Sequence, residues 1–297
     1  MPHHHHRKSS SLDRLAGIPL NSISPEEAHA AALNQLEPQS TANAATNTTE
    51  GSPPEPTPSA ATPSESGGSS PFPSTNTLLR VLFGIQRYSA YTFTGFLGLH
   101  LTSVVLAPAF SYDAGNASLL FTNTIYQSPL VEPILVTGSL ALHITSGIVL
   151  RIIKVLRSKR LYESYWTAIS KPTLLAYAGY AATPLVLGHF YVTRYLPLSI
   201  LGDSSLISLD YVAHSIADHP AMAIGSMLTM LTLTLYHTVY GWRRWLNIYK
   251  RPKLLSGPGL FVVSGILLGV ASLARLAAHG PAIGWVASQY DKVLGKV

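Results

Sequence analysis

The sequence predicts an all-α integral membrane protein: a bundle of five transmembrane helices (residues 78–297) behind a disordered N-terminal tail (residues 1–77). Three observations predict it. Five apolar stretches follow one another, each close to the ~20 residues that a helix needs to cross the hydrocarbon. Charged residues make up only 11% of the chain, about half the share usual in a soluble domain. The first 77 residues, by contrast, hold no long apolar run.

The tail opens on Met1-Pro2-His3-His4-His5-His6, which reads equally as a tag or a native histidine run and has no part in the fold. Ser24-Pro25-Glu26-Glu27 is a helix start, with a capping serine, a proline at the first helical position and a glutamate that completes a capping box. That helix would end near Leu36, and its mostly alanine face makes it marginal alone. From Glu37 to Thr77 the chain is Pro, Ser, Thr, Asn, Ala and Gly, too poor in apolar area to offset its ordering entropy, so it reads as a partly polyproline tether.

The expected spans run from Tyr88 to Phe110, Val131 to Ile153, Pro172 to Leu196, Pro220 to Trp242 and Gly257 to His279. Inside them the polar residues are Thr, Ser, Gly, His and Tyr, the types that pack and hydrogen-bond between membrane helices. Arg80, Arg87, Arg151, Lys154, Arg157, Lys159, Arg160, Lys171, Arg243, Arg244, Lys250, Arg251 and Lys253 fall on the side of the N-terminus. The opposite loops carry Asp113, Asp203, Asp210 and Asp218, with Arg194 the main exception. This asymmetry predicts a cytosolic N-terminus and a C-terminus across the membrane. It also accounts for the net charge of +6 without a nucleic-acid partner.

Four spans each hold one histidine: His100, His143, His189 and His237. An ionisable side chain at membrane depth is a candidate for function, against the plainer reading of neutral histidines bonding between helices. His143-Ile144-Thr145-Ser146-Gly147 and His237-Thr238-Val239-Tyr240-Gly241 share a His-x-x-x-Gly pattern, which puts Gly147 and Gly241 one turn from each histidine and leaves room for a flat ring. Gly98-Leu99-His100 and Leu187-Gly188-His189 also resemble each other. The offsets, 94 and 89 residues, read as duplication of a two-helix unit with a fifth helix appended. Haem b needs two imidazoles at one depth. Counted from the basic side, His100 and His143 lie at roughly 18 and 16 Å, His189 near roughly 24 Å and His237 near roughly 9 Å. Depth thus favours His100 with His143, whereas the repeat favours His143 with His237 as iron ligands.

Residues 80–245 resemble the cytochrome b membrane subunits of succinate dehydrogenase and fumarate reductase. The likeness rests on His237-x-x-x-Gly241-x-Arg243, on His143-x-x-x-Gly147, where Arg151 is displaced, and on Arg87-Tyr88-Ser89. The chain is more similar still to a fungal mitochondrial outer-membrane family, the MDM-ten-complementing proteins, through Gln86-Arg87-Tyr88-Ser89-Ala90-Tyr91, Leu142 to Gly147, and a proline-bearing tail before five spans. That resemblance implies an adaptor that recruits a bridge-like lipid-transfer protein of the vacuolar-protein-sorting-thirteen family to vacuole–mitochondrion contacts, supporting lipid homeostasis. Recruitment in that family uses a Pro-x-Pro motif. The candidates here are Pro54, Pro56 and Pro58 in Pro54-Glu55-Pro56-Thr57-Pro58, and Pro71 and Pro73 in Pro71-Phe72-Pro73, without the family's upstream aliphatic residues.

Two further readings compete with the adaptor: a b-type haem-binding membrane cytochrome, and a lipid scramblase whose Thr92, Thr94, Thr102, Ser103, Thr145 and Ser146 line a headgroup groove. The absence of cysteine removes thiolate metal sites. No Walker loop, nucleophile elbow or usable carboxylate pair is present, so soluble enzyme classes find no support. Asp203, Asp210 and Asp218 read as a solvated loop.

Overall fold

The computed structural model describes residues 75–162, 172–246, 248 and 257–295. The tail, its Ser24–Leu36 helix, its Pro-x-Pro segments, and Lys171, Lys250, Arg251 and Lys253 lie outside the described residues.

The first span begins earlier than expected. Helix α1 (Thr75–Leu101) leads through a π-helical turn (Thr102–Leu106) into α2 (Ala107–Phe110) without leaving a helical course. Leu78, Val81, Leu82, Phe83 and Ile85 carry the apolar pattern N-terminal to Arg87, so Tyr88 is not its start. The helical stretch Thr77–Phe110 is 34 residues long, about 51 Å against a hydrocarbon of about 30 Å.

Helix α3 (Tyr112–Tyr126) follows a corner at Ser111, whose Oγ accepts from the Ala114 N–H at 3.3 Å. A second π-helical segment (Glu132–Gly138) opens α4 (Ser139–Tyr162). The third stretch is α5 (Leu174–Phe190), a π turn (Tyr191–Tyr195) and α6 (Leu196–Leu201). Then come α7 (Leu209–Asp218), α8 (Pro220–Trp245), α9 (Gly257–His279) and α10 (Gly284–Val293).

Two of the π turns have a visible cause. Ala107 donates its N–H to the Thr102 carbonyl and Leu196 to that of Tyr191, each five residues back. The next residue is Pro108 in one and Pro197 in the other, both fully buried. Proline has no N–H to give, and its ring crowds the carbonyl of the preceding turn. A wider turn absorbs that ring without breaking the helix.

Four helical stretches among the described residues are long and apolar enough to cross a membrane: Thr77–Phe110, Glu132–Arg157, Pro220–Trp245 and Gly257–His279. The five-span expectation differs at the third stretch. It is one helical course from Leu174 to Leu201, but Tyr177, Tyr180, Pro184, His189, Arg194 and Tyr195 load it with polar surface. Only 17–22% of the most apolar window of each of the four is buried, so their apolar surface faces outward, as suits lipid.

Helix α1 packs on α4, and α5 on α8. On α9, Gly265 and Gly269 stand one turn apart and receive Leu235 and Leu231 of α8. A Cβ on Gly265 would lie 2.7 Å from Leu235 Cδ1, so small residues let the two helices approach. The aspartate loop is corrected in part. Asp210 and Asp218 lie in α7, capped by Ser208. Leu209, Ala213 and Ile216 recur at helical spacing and bury against Leu119, Ala223, Leu273 and Leu276. Asp203 remains fully exposed, its carboxyl held below the usual range by hydrogen bonds from Ser205.

Candidate functional site: two histidine pairs

The four span histidines meet as two pairs. His143 on α4 faces His237 on α8, ring centroids 6.0 Å apart and planes at 78°. His100 near the end of α1 faces His189 near the end of α5, also at 6.0 Å, with planes at 62°. The pairing joins repeat equivalents. The depth reckoning that put His100 with His143 is not realised, because the early start of α1 and the π turns displace the boundaries it was counted from.

The duplication extends to the atoms that orient the rings. His143 Nδ1 lies 3.3 Å from the Gln86 carbonyl oxygen and His237 Nδ1 lies 3.0 Å from that of Leu175. Leu175 follows Gln86 by 89 residues, the offset that also separates His189 from His100 and Pro197 from Pro108. An Nδ1–H donated to a carbonyl leaves Nε2 as the free lone pair, the tautomer a metal-ligating imidazole needs. Gly179 makes room for His237: a Cβ there would lie 2.6 Å from Cε1 and 2.9 Å from Nδ1 of the ring.

The halves differ in detail. The Gln86 side chain accepts from Ser146 Oγ at 2.5 Å and places its amide nitrogen 3.4 Å from His143 Nε2. Leu175 has no such amide. Gly147 faces Gln86, at 3.4 Å from an added Cβ, whereas Gly241 looks into open space. At the other pair, Phe96 stacks on His100 at 5.3 Å and Tyr126 Oη lies 3.4 Å from its Nδ1.

A mainly apolar cavity of about 230 Å³ opens beside His100 and His189, walled by Phe93, Phe96, Val186 and Met227 among others. Thr234 on its wall holds a buried Oγ1 with no hydrogen-bond partner. Arg194 closes one end. It pairs with both carboxylate oxygens of Glu132, Nε to Oε1 at 2.7 Å, and also donates to Gln127 and Ser204. The basic residue that stood against the charge asymmetry is thus neutralised inside the bundle.

Imidazole is the donor type that haem b takes. With a metal–nitrogen bond of about 2.0–2.1 Å and about 1.1 Å from nitrogen to ring centre, two imidazoles either side of one ion stand about 6.3 Å apart. Both pairs stand close to that spacing, and at the His100–His189 pair a cavity and the Thr234 hydroxyl, unpartnered among the described residues, adjoin the rings. Gln86, Gly179 and Arg194 shape the sites without having been assigned to them from sequence. Gln86 and Leu175 had a legible signal in the 89-residue offset; Gly179 had none. Of the six hydroxyls read as a headgroup groove, Thr92, Thr94, Thr102, Thr145 and Ser146 donate to carbonyls one turn back, and Ser103 donates to the His100 carbonyl.

Residues 184–288 match the family model described as MDM10-complementing protein 1, transmembrane domain. The match spans about a third of the chain, from within α5 into α10, and includes His189, Arg194 and His237. No curated protein and no solved structure matches the chain, and the likeness to succinate dehydrogenase subunits has no counterpart among these findings. The chain is therefore a multi-pass helical membrane protein whose residues 184–288 are similar to the transmembrane domain of MDM10-complementing protein 1.

Proposed function

We propose that this chain is a mitochondrial outer-membrane adaptor. It crosses five times with its N-terminus in the cytosol, and recruits a bridge-like lipid-transfer protein through its tail in support of lipid homeostasis at vacuole–mitochondrion contacts. The observation that carries the reading is the family match over residues 184–288. Charge supports the orientation: Arg80, Arg87, Arg151, Arg157, Arg243 and Arg244 gather at one end of their helices, while Asp113, Asp203, Asp210 and Asp218 sit at the other. The Leu174–Leu201 course is the fifth crossing in this reading, its one charged residue paired with Glu132. Deleting residues 1–77 should abolish recruitment of the lipid-transfer protein while the bundle still inserts. Recruitment that survives the deletion refutes the docking role. Alanine at Pro54, Pro56 and Pro58, or at Pro71 and Pro73, then separates the two candidate segments. A C-terminal epitope that protease removes from intact mitochondria refutes five crossings.

A second reading has its own observation. The two imidazole pairs at 6.0 Å favour a bundle that holds haem b between repeat-equivalent helices. Protein purified from haem-replete cells should then show the absorption of low-spin haem, reduced by alanine at any of the four histidines. A spectrum without bound haem refutes it. Lipid scrambling extends the adaptor reading, but the hydroxyls named for it all bond carbonyls of their own helical course, and Ser146 and Thr94 also bond across to Gln86 and Trp242. A leaflet-exchange assay in proteoliposomes that gives no signal above empty vesicles excludes it.

A further inference from the structure

A separate cluster of metal-binding side chains lies away from the histidine pairs. His214 and Asp218 stand one turn apart on α7, and Asp291 reaches them from α10. His214 Nε2 lies 3.1 Å from Asp291 Oδ1 and 3.5 Å from Asp218 Oδ2. One ligand atom from each of the three falls within 4.8 Å of the others. His214 is 5% exposed, and its Nδ1 has no hydrogen-bond partner among the described residues. The fold thus holds an imidazole in the interior with its one engaged nitrogen turned to two carboxylates.

We infer that His214, Asp218 and Asp291 bind a divalent transition-metal ion of the zinc class. Ligands at about 2.0–2.1 Å from a tetrahedral ion are about 3.3–3.4 Å from one another, and the two measured edges bracket that value. Two carboxylates and an imidazole are the donor types that such an ion takes. Three protein ligands leave one position for water. The ion would join α7 to α10, whose Tyr290 and Val293 already bury against Ile207 and Tyr211. The C-terminal helix would then be fastened by metal as well as by packing. The matched family segment ends at residue 288, three residues short of Asp291, so the third ligand lies outside it.

The test uses the full chain in detergent, loaded with zinc chloride and passed through a desalting column. Histidines 3–6 bind zinc in every variant, so the readout is the difference from Asp291→Asn and from the Asp218→Asn/Asp291→Asn double variant. The wild type should retain one more zinc per chain than either. Its Tm should rise by about 5–10 °C at free zinc about a hundred-fold above Kd. EDTA should reverse the rise. Equal zinc content in wild type and variants, or a wild-type Tm indifferent to both zinc and EDTA, overturns the proposal; an imidazolium bridging two carboxylates would give that pattern. Should the variants not fold, the wild-type Tm with zinc against EDTA decides alone.

Discussion

Replacing Gly179 with alanine tests the packing that sets His237 in place. The added Cβ would fall 2.6 Å from Cε1 and 2.9 Å from Nδ1 of the imidazole, inside any normal carbon contact. The same Nδ1 is held by the 3.0 Å contact with the Leu175 carbonyl, one turn before Gly179 on the same helix. Either the ring swings away and loses that bond, or α5 and α8 separate. Overpacking costs about 1–3 kcal/mol and a lost hydrogen bond about 0.5–1.5 kcal/mol, against a helix-propensity gain of about 0.8–1 kcal/mol for alanine over glycine. The net is a loss of about 1–3 kcal/mol, or a Tm lower by about 3–10 °C in a domain of this size. Thermal unfolding in detergent, followed by circular dichroism, reads it. Gly225→Ala on α8 is the control, since an added Cβ there meets nothing within 4 Å. It should be neutral or slightly stabilising. A Gly179→Ala protein as stable as Gly225→Ala would refute the claim that this glycine exists to admit the ring.

Other perturbations give equally definite outcomes. Arg194→Met leaves the Glu132 carboxylate, 17% exposed, without its partner and should destabilise by about 3–5 kcal/mol. Adding Glu132→Gln should recover part of that, and a double variant as unstable as the sum of the singles argues against direct coupling. Burial holds the Tyr211 hydroxyl up to about 12 from an ordinary 10.0. Its contribution is complete below pH 10 and is lost as pH rises through about 12. Tyr211→Phe should therefore flatten the alkaline fall in Tm, at the cost of the 3.2 Å bond to the Val192 carbonyl. Alanine substitutions at His100 and His189 should be non-additive with each other, while either should add with His143→Ala; additivity within the pair would contradict the observed contact.

Most of the architecture was legible because hydrophobic length is a strong signal. Five apolar stretches announced themselves, and four of them are long and apolar enough to cross a membrane. The third was read as one more span because its apolar length was counted without weighing Tyr177, His189 and Arg194 against it. The start of α1 was missed because Arg80 and Arg87 interrupt the apolar count, although a helix accepts arginine where it leaves the hydrocarbon. Helix α7 was hidden by its aspartates: Asp210 and Asp218 look like loop residues until Leu209, Ala213 and Ile216 are read at helical spacing. The histidines were found from chemistry. Their partners were not, since partnership depends on interhelical register, to which rise per residue contributes several ångströms of error. Asp291 stands 73 residues from Asp218, and nothing in the chain links them.

The repeat decides which histidines can meet. Each half is a packed pair of helices, α1 with α4 and α5 with α8. His100 meets His189 and His143 meets His237, so each histidine packs on its own repeat equivalent. The carbonyls of Gln86 and Leu175, one from each half, hold their rings in the same way. A pairing within one unit, such as His100 with His143, would leave His189 and His237 to form a second copy of the same contact elsewhere. The observed pairing instead yields two unlike pairs, one beside an apolar cavity and one with the Gln86 amide against it. The Gln86 amide, 3.4 Å from His143 Nε2, has no counterpart at Leu175, and it is the feature by which one duplicated site has departed from the other.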